Sequence, residues 1–581
     1  MTTKKAPEGK KKSTGSTAAS KTRKTAAKKT AARKTTATRK TTTARKTTAT
    51  RKKAAEKPAA LAAAEKEKLS APAGANAEKI AAPRGAAEAG IEIQVSDISV
   101  PTVKSEEKQK LNILFVTPEV VPFASSGGLG EVSGSLPKAL NASREANIDC
   151  RVIMPLYGSI SEENRRRMKF LGTRTVPLTW RQQYMGLFKL VQDGVTYYFV
   201  DNEYYFKREG LYGYYDDCER FAYFSKAIFY AIELMEDFVP NIIHANDWQT
   251  ALVPIYQNSV FRRRFTKTVF TVHNIEYQGH YGREVLKEVI GLPQSENYVV
   301  DFGDDINLMK GGIESANIFS TVSPTYAEEL KYPGNAFGLD KIVRRNSHKL
   351  RGILNGIDTE AYDPSSDKYI AANYSAADLS GKAACKKALQ RMTGLPVKDV
   401  PVLTLISRLV PAKGIDLIVQ TLEGILENKD VQFVMLGTGY ENYEDYFNWL
   451  QSHHSDQACC MIKFDMETSH QIYAGGDILL MPSRSEPCGL AQMIGCRYGN
   501  IPLVRETGGL ADSIKDCTTG DGNGFTFANY SPGDFYNATC NAIDKFNDKD
   551  SWNALMKHDM ELDFSWKTSA EEYIKMYESM F

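Results

Sequence analysis

Short apolar segments alternate with helix-like segments along this chain, in two separate series. The first series begins with LNILFVT at 111–117 and the second with VLTLISR at 402–408. The stretches between the apolar runs, such as ERFAYFSKAIFYAIELM at 219–235, carry apolar residues at helical spacing. Strand–helix alternation predicts parallel sheets with helices on both faces. We therefore expect an α/β protein with two doubly wound, Rossmann-like sheets.

Each series predicts a set of strands, and the positions of these strands predict where a ligand binds. The strand candidates are 111–117, 150–155, 189–201 (with a hairpin turn at Asp193-Gly194), 241–245, 267–273 and 318–323, then 402–408, 431–437, 459–464, 477–482 and 501–506. Doubly wound sheets bind ligands at the carboxyl ends of their strands. Two such sheets suggest a cleft between them.

The charge of the chain is unevenly divided. Residues 1–58 contain 20 of the 73 lysines and arginines and two of the 70 acidic residues, a net charge of +18 that leaves −15 for the rest. This basic tail repeats ARKTTATRK and has no aromatic residue, so we expect it to be disordered. Three interpretations remain open: a tether to nucleic acid or another polyanion, a targeting segment, and an idle extension. Residues 59–108, rich in Ala, Pro and Glu, are interpreted as a linker.

Other sequence features restrict the location of the protein. No apolar stretch approaches the ~18 residues of a membrane span, so no membrane partner is expected. The nine cysteines include no CxxC pair, which argues against a disulfide framework and a zinc site. We expect a cytoplasmic protein; a plastid is the alternative if the N-terminal segment is a transit peptide.

One carboxylate stands between a strand candidate and a helix-like segment. The stretch SRSEPCGLAQM at 483–493 places Glu486 after the apolar run DILLMP and before LAQMIGCRYG. Such a carboxylate either caps the helix or takes part in binding a ligand at the carboxyl end of the strand. Neither interpretation is excluded by this stretch alone.

Two further junctions have a similar design. In SRLVPAKG at 407–414, Arg408 and Lys413 lie beside a helix start, which suits a diphosphate but also a solvated loop. TGGLADS at 507–513 opens a helix with two glycines. The glycine loop SSGGLGEV at 125–132 is either a tight turn or a cradle for phosphate. Taken with Glu486, these segments favour a pocket for a nucleotide sugar.

The chain resembles bacterial glycogen synthases and plant starch synthases over roughly residues 111–581. The resemblance is carried, in order and spacing, by SSGGLGEV, YDDCERF (215–221), HANDWQT (244–250), VHNIEYQG (272–279), LNGID (354–358), SRLVPAKG, SRSEPCGL, RETGGLAD (505–512) and FSWKTSAEEY (564–573). It implies the GT-B architecture, with two Rossmann-like domains facing a central cleft. It also implies a retaining transfer of glucose from ADP-glucose to the nonreducing end of an α-1,4-glucan, with no cofactor and no metal.

The same resemblance implies a division of the chain into domains. The implied segments are an N-terminal acceptor domain at 109–358, an interdomain segment at 359–400, a C-terminal nucleotide-sugar domain at 401–560, and a C-terminal helix at 561–581 that packs back on the N-terminal domain.

Four residues form the catalytic set that the resemblance implies. Glu486 would hold hydroxyls of the donor glucose, and Arg408 and Lys413 would clamp the diphosphate and stabilise the charge on the leaving group. Asp216 would lie near the reacting centre. The implied donor-binding residues are Gly127, Gly128, Asn246, Asn355, Phe464, Cys488, Gly489, Leu490, Thr507, Gly508 and Gly509. Cys488 is expected to pack rather than to react, because no base accompanies it.

Three positions depart from the usual pattern of the bacterial family. Ser125 replaces a lysine, Asn246 replaces a histidine as in granule-bound starch synthases, and Phe464 replaces a tyrosine. Two alternatives stand beside the synthase prediction, the first prompted by these departures and the second by the basic tail. One is a catalytically weakened glucan-binding protein of the same fold, and the other is a synthase tethered to nucleic acid by its tail.

Overall fold

The computed structural model describes residues 110–581, so the predictions for the tail at 1–58 and the linker at 59–108 lie outside the described residues. The described part forms three sheets. Their strands are β1 (Leu111–Val116), β2 (Ile148–Pro155), β3 (Lys169–Leu178), β4 (Arg181–Gln192), β5 (Val195–Asp201), β6 (Ile242–Asn246), β7 (Lys267–Val272), β8 (His280–Gly282), β9 (Asp301–Phe302), β10 (Asp305–Asn307), β11 (Ile318–Thr321), β12 (Leu350–Gly352), β13 (Val402–Ile406), β14 (Gln432–Leu436), β15 (Ala458–Met461), β16 (Ile478–Met481), β17 (Ile501–Arg505) and β18 (Phe525–Phe527).

Helices connect most of the strands and cover the sheets. They are α1 (Gly128–Ala142), α2 (Glu162–Arg167), α3 (Glu203–Phe206), α4 (Asp217–Ile232), α5 (Leu252–Tyr256), α6 (Leu308–Ser315), α7 (Pro324–Glu329), α8 (Asp340–Arg345), α9 (Ser380–Met392), α10 (Ile415–Asn428), α11 (Glu441–His453), α12 (Met466–Gly475), α13 (Ala491–Arg497), α14 (Gly508–Ser513), α15 (Pro532–Phe546), α16 (Lys549–Glu561) and α17 (Trp566–Glu578). Within residues 110–581, none of these helices combines the length and the apolar character needed to cross a membrane.

The first large sheet has nine strands in the order β12-β11-β7-β6-β1-β2-β5-β4-β3. Seven of them run parallel, whereas β4 pairs antiparallel with both β5 and β3. This edge of the sheet is therefore antiparallel, and it contains the hairpin that the sequence predicts at Asp193-Gly194. The two-residue turn at Asp193-Gly194 joins β4 to β5, and so short a connection permits only antiparallel pairing.

The second large sheet has six parallel strands in the order β15-β14-β13-β16-β17-β18. This sheet confirms the second Rossmann-like unit, and the prediction of two doubly wound sheets is correct. We call the elements β1–β12 with α1–α8 the N-terminal half, and β13–β18 with α10–α16 the C-terminal half. A small antiparallel sheet of β8, β10 and β9 lies within the N-terminal half.

The last helix, α17, packs on the N-terminal half. The hydroxyl of Tyr577 on this helix lies 2.7 Å from His244 Nδ1 in β6, and His244 Nε2 lies 2.6 Å from the Thr271 hydroxyl in β7. Burial lowers the pKa of His244 to about 3, so the imidazole is neutral. The hydroxyl of Ser569 also donates to the Leu354 carbonyl, at 2.7 Å. The chain therefore returns to its first sheet after completing the second, while the exact domain boundaries stay predictions.

Asp559 in α16 makes stability depend on pH. Its side chain is fully buried, and this burial raises its pKa well above the ordinary value, against a hydrogen bond with the Cys496 thiol. Because the unfolded chain loses this proton near pH 4 while the folded chain keeps it, the stability that the neutral acid allows is lost as pH rises. We expect Asp559→Asn to raise the thermal midpoint at pH 8 by about 2–4 °C, the shift that roughly 1 kcal/mol produces, and to raise it less at pH 5.

Thermal unfolding followed by circular dichroism at both pH values would measure this difference. The exposed Asp456→Asn is the matched control and should leave the pH profile unchanged. Equal shifts at pH 5 and pH 8 in Asp559→Asn would show that the carboxyl charge is not the cause.

Candidate active site

Predicted site residues of the C-terminal half follow the carboxyl ends of its strands. Arg408 follows β13, Phe464 follows β15, Glu486 follows β16 and Thr507 follows β17. Because these strands are parallel, all four residues lie along one edge of the sheet. The side chain of Phe464 is 87% exposed there.

Glu486 is a buried carboxylate that is paired with a cation. Its Oε2 accepts a hydrogen bond from Lys413 Nζ at 2.5 Å and another from the Ser483 hydroxyl at 3.0 Å, and the residue is 5% exposed. Helix α13 begins only at Ala491 and has no side-chain cap. The capping interpretation of Glu486 is therefore wrong.

The backbone around Lys413 explains how this cation reaches Glu486. Lys413 ends a short 3₁₀ turn, and Gly414 follows with a left-handed φ of 70°. A Cβ on Gly414 would lie 1.9 Å from the Pro482 carbonyl oxygen, so only glycine fits. This close approach holds the Lys413 turn against the end of β16, next to the Glu486 loop.

Arg408 is a cation at the carboxyl edge of this sheet that has no partner among residues 110–581. Its side chain is exposed, and its guanidinium forms no ion pair or hydrogen bond with any of residues 110–581. An unengaged guanidinium beside a strand end suits bidentate binding of an external phosphate.

The start of α14 is held tightly against the Glu486 loop. Gly508 has a φ of 45°, and a Cβ there would lie 2.0 Å from the Glu486 carbonyl oxygen. The N–H of Gly509 donates to that same carbonyl at 3.1 Å. The Thr507 hydroxyl and the Gly508 N–H both donate to Glu329 Oε1 from the N-terminal half, at 2.9 and 3.1 Å. These predicted donor-binding groups are thus engaged by protein acceptors in this structure.

Cys488 and the residues around it form a packed turn. Burial raises the pKa of the Cys488 thiol to about 12, so the sulfur is uncharged at neutral pH and fits the packing role. Gly489 has a φ of 73°, and Leu490 occupies the N-cap position of α13. Asn355 is 5% exposed, and its Oδ1 has no hydrogen-bond partner among residues 110–581. Its amide oxygen is therefore a buried acceptor without a partner in the described part of the chain.

In the N-terminal half, the glycine loop is held by a carboxylate that no sequence motif indicated. Glu119 accepts from the Ser126 N–H at 2.5 Å and from the Ser126 hydroxyl at 2.8 Å. Burial raises the pKa of Glu119, against these two hydrogen bonds. Gly127 then caps α1 and Gly128 begins it, and no atom lies within 4 Å of a Cβ built on either glycine. The loop thus presents bare backbone to open space.

An open cavity of about 540 Å³ lies beside this loop. Phe123, Ser125 and Ser126 line one part of it, and the loop at 209–211 lines another.

Asp216 orders the loop that borders this cavity. Arg208 donates to both oxygens of Asp216, at 2.6 and 2.7 Å. Burial alone would raise the pKa of Asp216, but the hydrogen bonds and charge of Arg208 outweigh it and hold the pKa below its ordinary value. Asp216 is therefore a carboxylate at neutral pH, and it makes no direct contact with Glu486 in the described part of the chain.

Asn246 is fully buried at the end of β6. Its amide N–H₂ donates to the Val116 carbonyl at 3.0 Å, and its Oδ1 accepts from His273 Nε2 at 2.9 Å. Burial lowers the pKa of His273 to about 3. Asn246 thus fixes the orientation of a neutral His273, which sequence reasoning did not single out.

Asp247 is a second residue that sequence reasoning missed. It has a φ of 57° and a ψ of 177°, a strained conformation for a residue with a side chain. Burial raises its pKa to about 7, against hydrogen bonds from the backbone N–H groups of His273 and Asn274. Its place directly after a buried strand was the available signal. A strained acid at a strand end is typical of functional sites.

Two Rossmann-like sheets, with two cations and a buried carboxylate at the carboxyl edge of the second sheet, are the fold and site of a glycosyltransferase of the GT-B class. The family described as starch synthase catalytic domain matches residues 112–345, and the family of glycosyl transferases group 1 matches residues 387–551. The chain belongs to the glycogen and starch synthase family, as the sequence predicts.

Curated relatives agree with this assignment. The glycogen synthase of Bacillus cereus (strain B4264) is 44% identical over 480 residues, which cover 81% of this chain and 100% of the relative. The glycogen synthase of Clostridium botulinum (strain Alaska E43 / Type E3) is 42% identical, with coverage of 81% and 99%.

Solved structures agree as well. The catalytic domain of starch synthase IV from Arabidopsis thaliana, bound to ADP and acarbose, has a TM-score of 0.75 and 34% identity, covering 81% of this chain and 99% of that chain. A sucrose-phosphate synthase from Thermosynechococcus elongatus, with a TM-score of 0.51 and 15% identity over 81% and 99% of the two chains, shares the fold alone.

The buried ion pair of Lys413 and Glu486 should contribute to the free energy of unfolding. Lys413→Ala leaves the Glu486 carboxylate buried without its cation, and we expect a loss of about 1–3 kcal/mol in the free energy of unfolding, because the pair is partly exposed on the lysine side. The double variant Lys413→Ala/Glu486→Gln should recover most of this loss, since no charge is then left unpaired.

Denaturant unfolding of the wild type, both single variants and the double variant would test the coupling. Lys463→Ala breaks an exposed pair with Asp465 and serves as the control, with little expected effect. A double variant as unstable as Lys413→Ala would contradict the pairing.

Proposed function

We propose that this chain transfers glucose from ADP-glucose to the nonreducing end of an α-1,4-glucan, with retention at the anomeric carbon. Membership of the glycogen and starch synthase family supports the reaction class. The related starch synthase IV structure contains ADP and acarbose, which supports an adenine nucleotide as the carrier of the donor sugar.

One observation carries the proposal: a free guanidinium, Arg408, lies at the same sheet edge as the Lys413–Glu486 pair. As the bond from glucose C1 to the diphosphate oxygen breaks, the diphosphate takes the electron pair. Arg408 and Lys413 are assigned to this developing charge, and fixed cations in a closed site act strongly on it. In this proposal they supply the charge stabilisation that a metal ion provides in other transferases.

Glu486 is assigned to the donor sugar. Both hydrogen bonds described for its carboxylate go to Oε2, which leaves Oε1 for a sugar hydroxyl. The sugar ring gains positive charge in the transition state, so a nearby carboxylate stabilises that state more than the ground state. The exposed ring of Phe464 is assigned to the nucleotide base, and the free Oδ1 of Asn355 to the donor.

The acceptor is assigned to the N-terminal half. The cavity beside Ser125 and Ser126 is open, and the loop at 209–211 that borders it is ordered by the Arg208–Asp216 pair. In this proposal a glucan enters through that cavity, and the bare glycines at 127 and 128 allow close approach of both substrates. Asp216 orders the acceptor side near the reacting centre.

Initial rates with ADP-glucose and UDP-glucose on soluble glycogen, with analysis of the product linkage, test the proposal. We expect α-1,4 elongation and a preference for ADP-glucose. Glucan binding without transfer from either donor would favour a weakened glucan-binding protein instead.

Arg408 should matter for turnover and not for stability. Because its side chain is exposed and unengaged, Arg408→Ala should leave the thermal midpoint unchanged but lower kcat by about 10²-fold, the effect of losing one preorganised charge-stabilising group. Arg391→Ala removes another exposed arginine without such contacts and should retain wild-type kcat. Equal turnover in the two variants would remove Arg408 from the diphosphate site.

Location and further partners belong to the same proposal. We assign the protein to the cytoplasm, because all nine cysteines are free, as a reducing compartment favours. We also assign polyanion binding to the tail at 1–58, because its charge of +18 contrasts with the acidic remainder.

Deletion of residues 1–58 tests the tail. We expect the truncated protein to lose salt-sensitive binding to double-stranded DNA in a gel shift and to keep kcat within about twofold, since binding by counterion release involves no catalytic group. A scrambled tail of the same composition should bind like the wild type. A large loss of activity in the truncated protein at physiological salt would contradict the separation of the two functions.

A further inference from the structure

Helix α7 of the N-terminal half lies against helix α14 of the C-terminal half. The N–H and the hydroxyl of Thr325, at the start of α7, donate to the two oxygens of Asp512, near the end of α14, at 2.8 and 2.7 Å. Glu329, at the end of α7, accepts from Thr507 and Gly508 at the start of α14. The two helices therefore run antiparallel, and each receives a carboxylate from the other at its amino end, where the backbone favours negative charge.

A third contact reaches the loop that carries Glu486. The Ser323 hydroxyl, fully buried at the N-cap of α7, donates to the Pro487 carbonyl at 2.7 Å. The Oγ atom of Ser323 also accepts a hydrogen bond from the Tyr326 N–H at 3.2 Å, so the Ser323 hydroxyl is held by both a donor and an acceptor. We call these contacts of Ser323, Thr325 and Glu329 the clasp.

The clasp acts on Glu486 through two routes. Ser323 holds the residue that follows Glu486, and α14 is joined to the Glu486 carbonyl by the Gly509 N–H. A movement of α7 relative to α14 would therefore carry the Glu486 loop away from its present position over the N-terminal half. No clasp residue belongs to the proposed diphosphate pair of Arg408 and Lys413.

We propose that Thr325, Glu329 and Asp512 are positioning residues. They fix the distance between the Glu486 loop and the N-terminal half, so that the bound donor and the bound acceptor come together in a single reactive arrangement. This inference rests on the proposed function. A misplacement of about 1 Å between reacting groups costs roughly 10²-fold in rate. Loosening the Thr325–Asp512 end of the clasp therefore lowers kcat, while ADP binds as before, because that end contacts no predicted donor-binding group.

The test uses Asp512→Asn, the isosteric Thr325→Val and the hydroxyl-retaining Thr325→Ser in the full chain. We expect Asp512→Asn to lower kcat about tenfold and Thr325→Val about threefold, with the dissociation constant of ADP within about twofold of the wild type. Thr325→Ser keeps the hydroxyl and should keep kcat. Glu328→Gln is the matched control, because Glu328 is exposed and pairs only with Lys331 in the described part of the chain.

Calorimetry with ADP, steady-state kinetics with ADP-glucose and glycogen, and thermal midpoints give the three readouts. Unchanged kcat in both Asp512→Asn and Thr325→Val would overturn the inference. Loss of ADP affinity in parallel with kcat would also overturn it, because the clasp would then act on the donor pocket itself. A variant that fails to fold is replaced by Thr325→Ala, read in the same way. A wild type that transfers no glucose would contradict the proposed function, whereas active wild type with unaffected variants contradicts only the clasp.

Discussion

The close packing of the first turn of α14 on the Glu486 loop is the constraint on which the cleft depends. A Cβ on Gly508 would lie 2.0 Å from the Glu486 carbonyl oxygen, and one on Gly509 would lie 2.2 Å from the Cys488 carbonyl oxygen. Any side chain there would separate two strand-end segments that carry the site. Because the same helix also contacts α7, the position of Glu486 depends on both halves of the chain.

Charge within the cleft is arranged before any substrate binds. Glu486 is buried, and an unpaired carboxylate in such a place would be costly, so Lys413 compensates it in the free protein. Arg408, in contrast, is exposed and carries an uncompensated charge. In the proposed function, a diphosphate meets one free cation and one cation already oriented by the carboxylate that is assigned to the donor sugar. This arrangement couples binding of the phosphates to binding of the sugar.

The sequence predicts much of this fold because buried parallel strands are continuous apolar runs. Strand β3 (Lys169–Leu178) escaped prediction because it is an edge strand with mixed polar residues and partial exposure, and β8–β10 are too short to show a period. Glu486, Arg408 and Lys413 were predicted because they lie in segments that join a predicted strand to a helix-like segment. Glu329 was not, because its partner Thr507 lies 178 residues away and no local pattern encodes that contact.

Two of the three departures from the bacterial pattern, Asn246 and Ser125, have a structural explanation that does not involve decay. Asn246 is fully buried, and the Val116 carbonyl and His273 engage its amide group on both sides. The Asn246 amide therefore holds the His273 ring in its orientation. An asparagine performs this task without titrating, since it offers a fixed donor and a fixed acceptor. Ser125 is likewise integrated into its loop, because its hydroxyl donates to the Gly127 carbonyl at 3.2 Å. Both substitutions leave the Glu486, Lys413 and Arg408 edge untouched, so they change the surroundings of the acceptor half and not the proposed leaving-group chemistry.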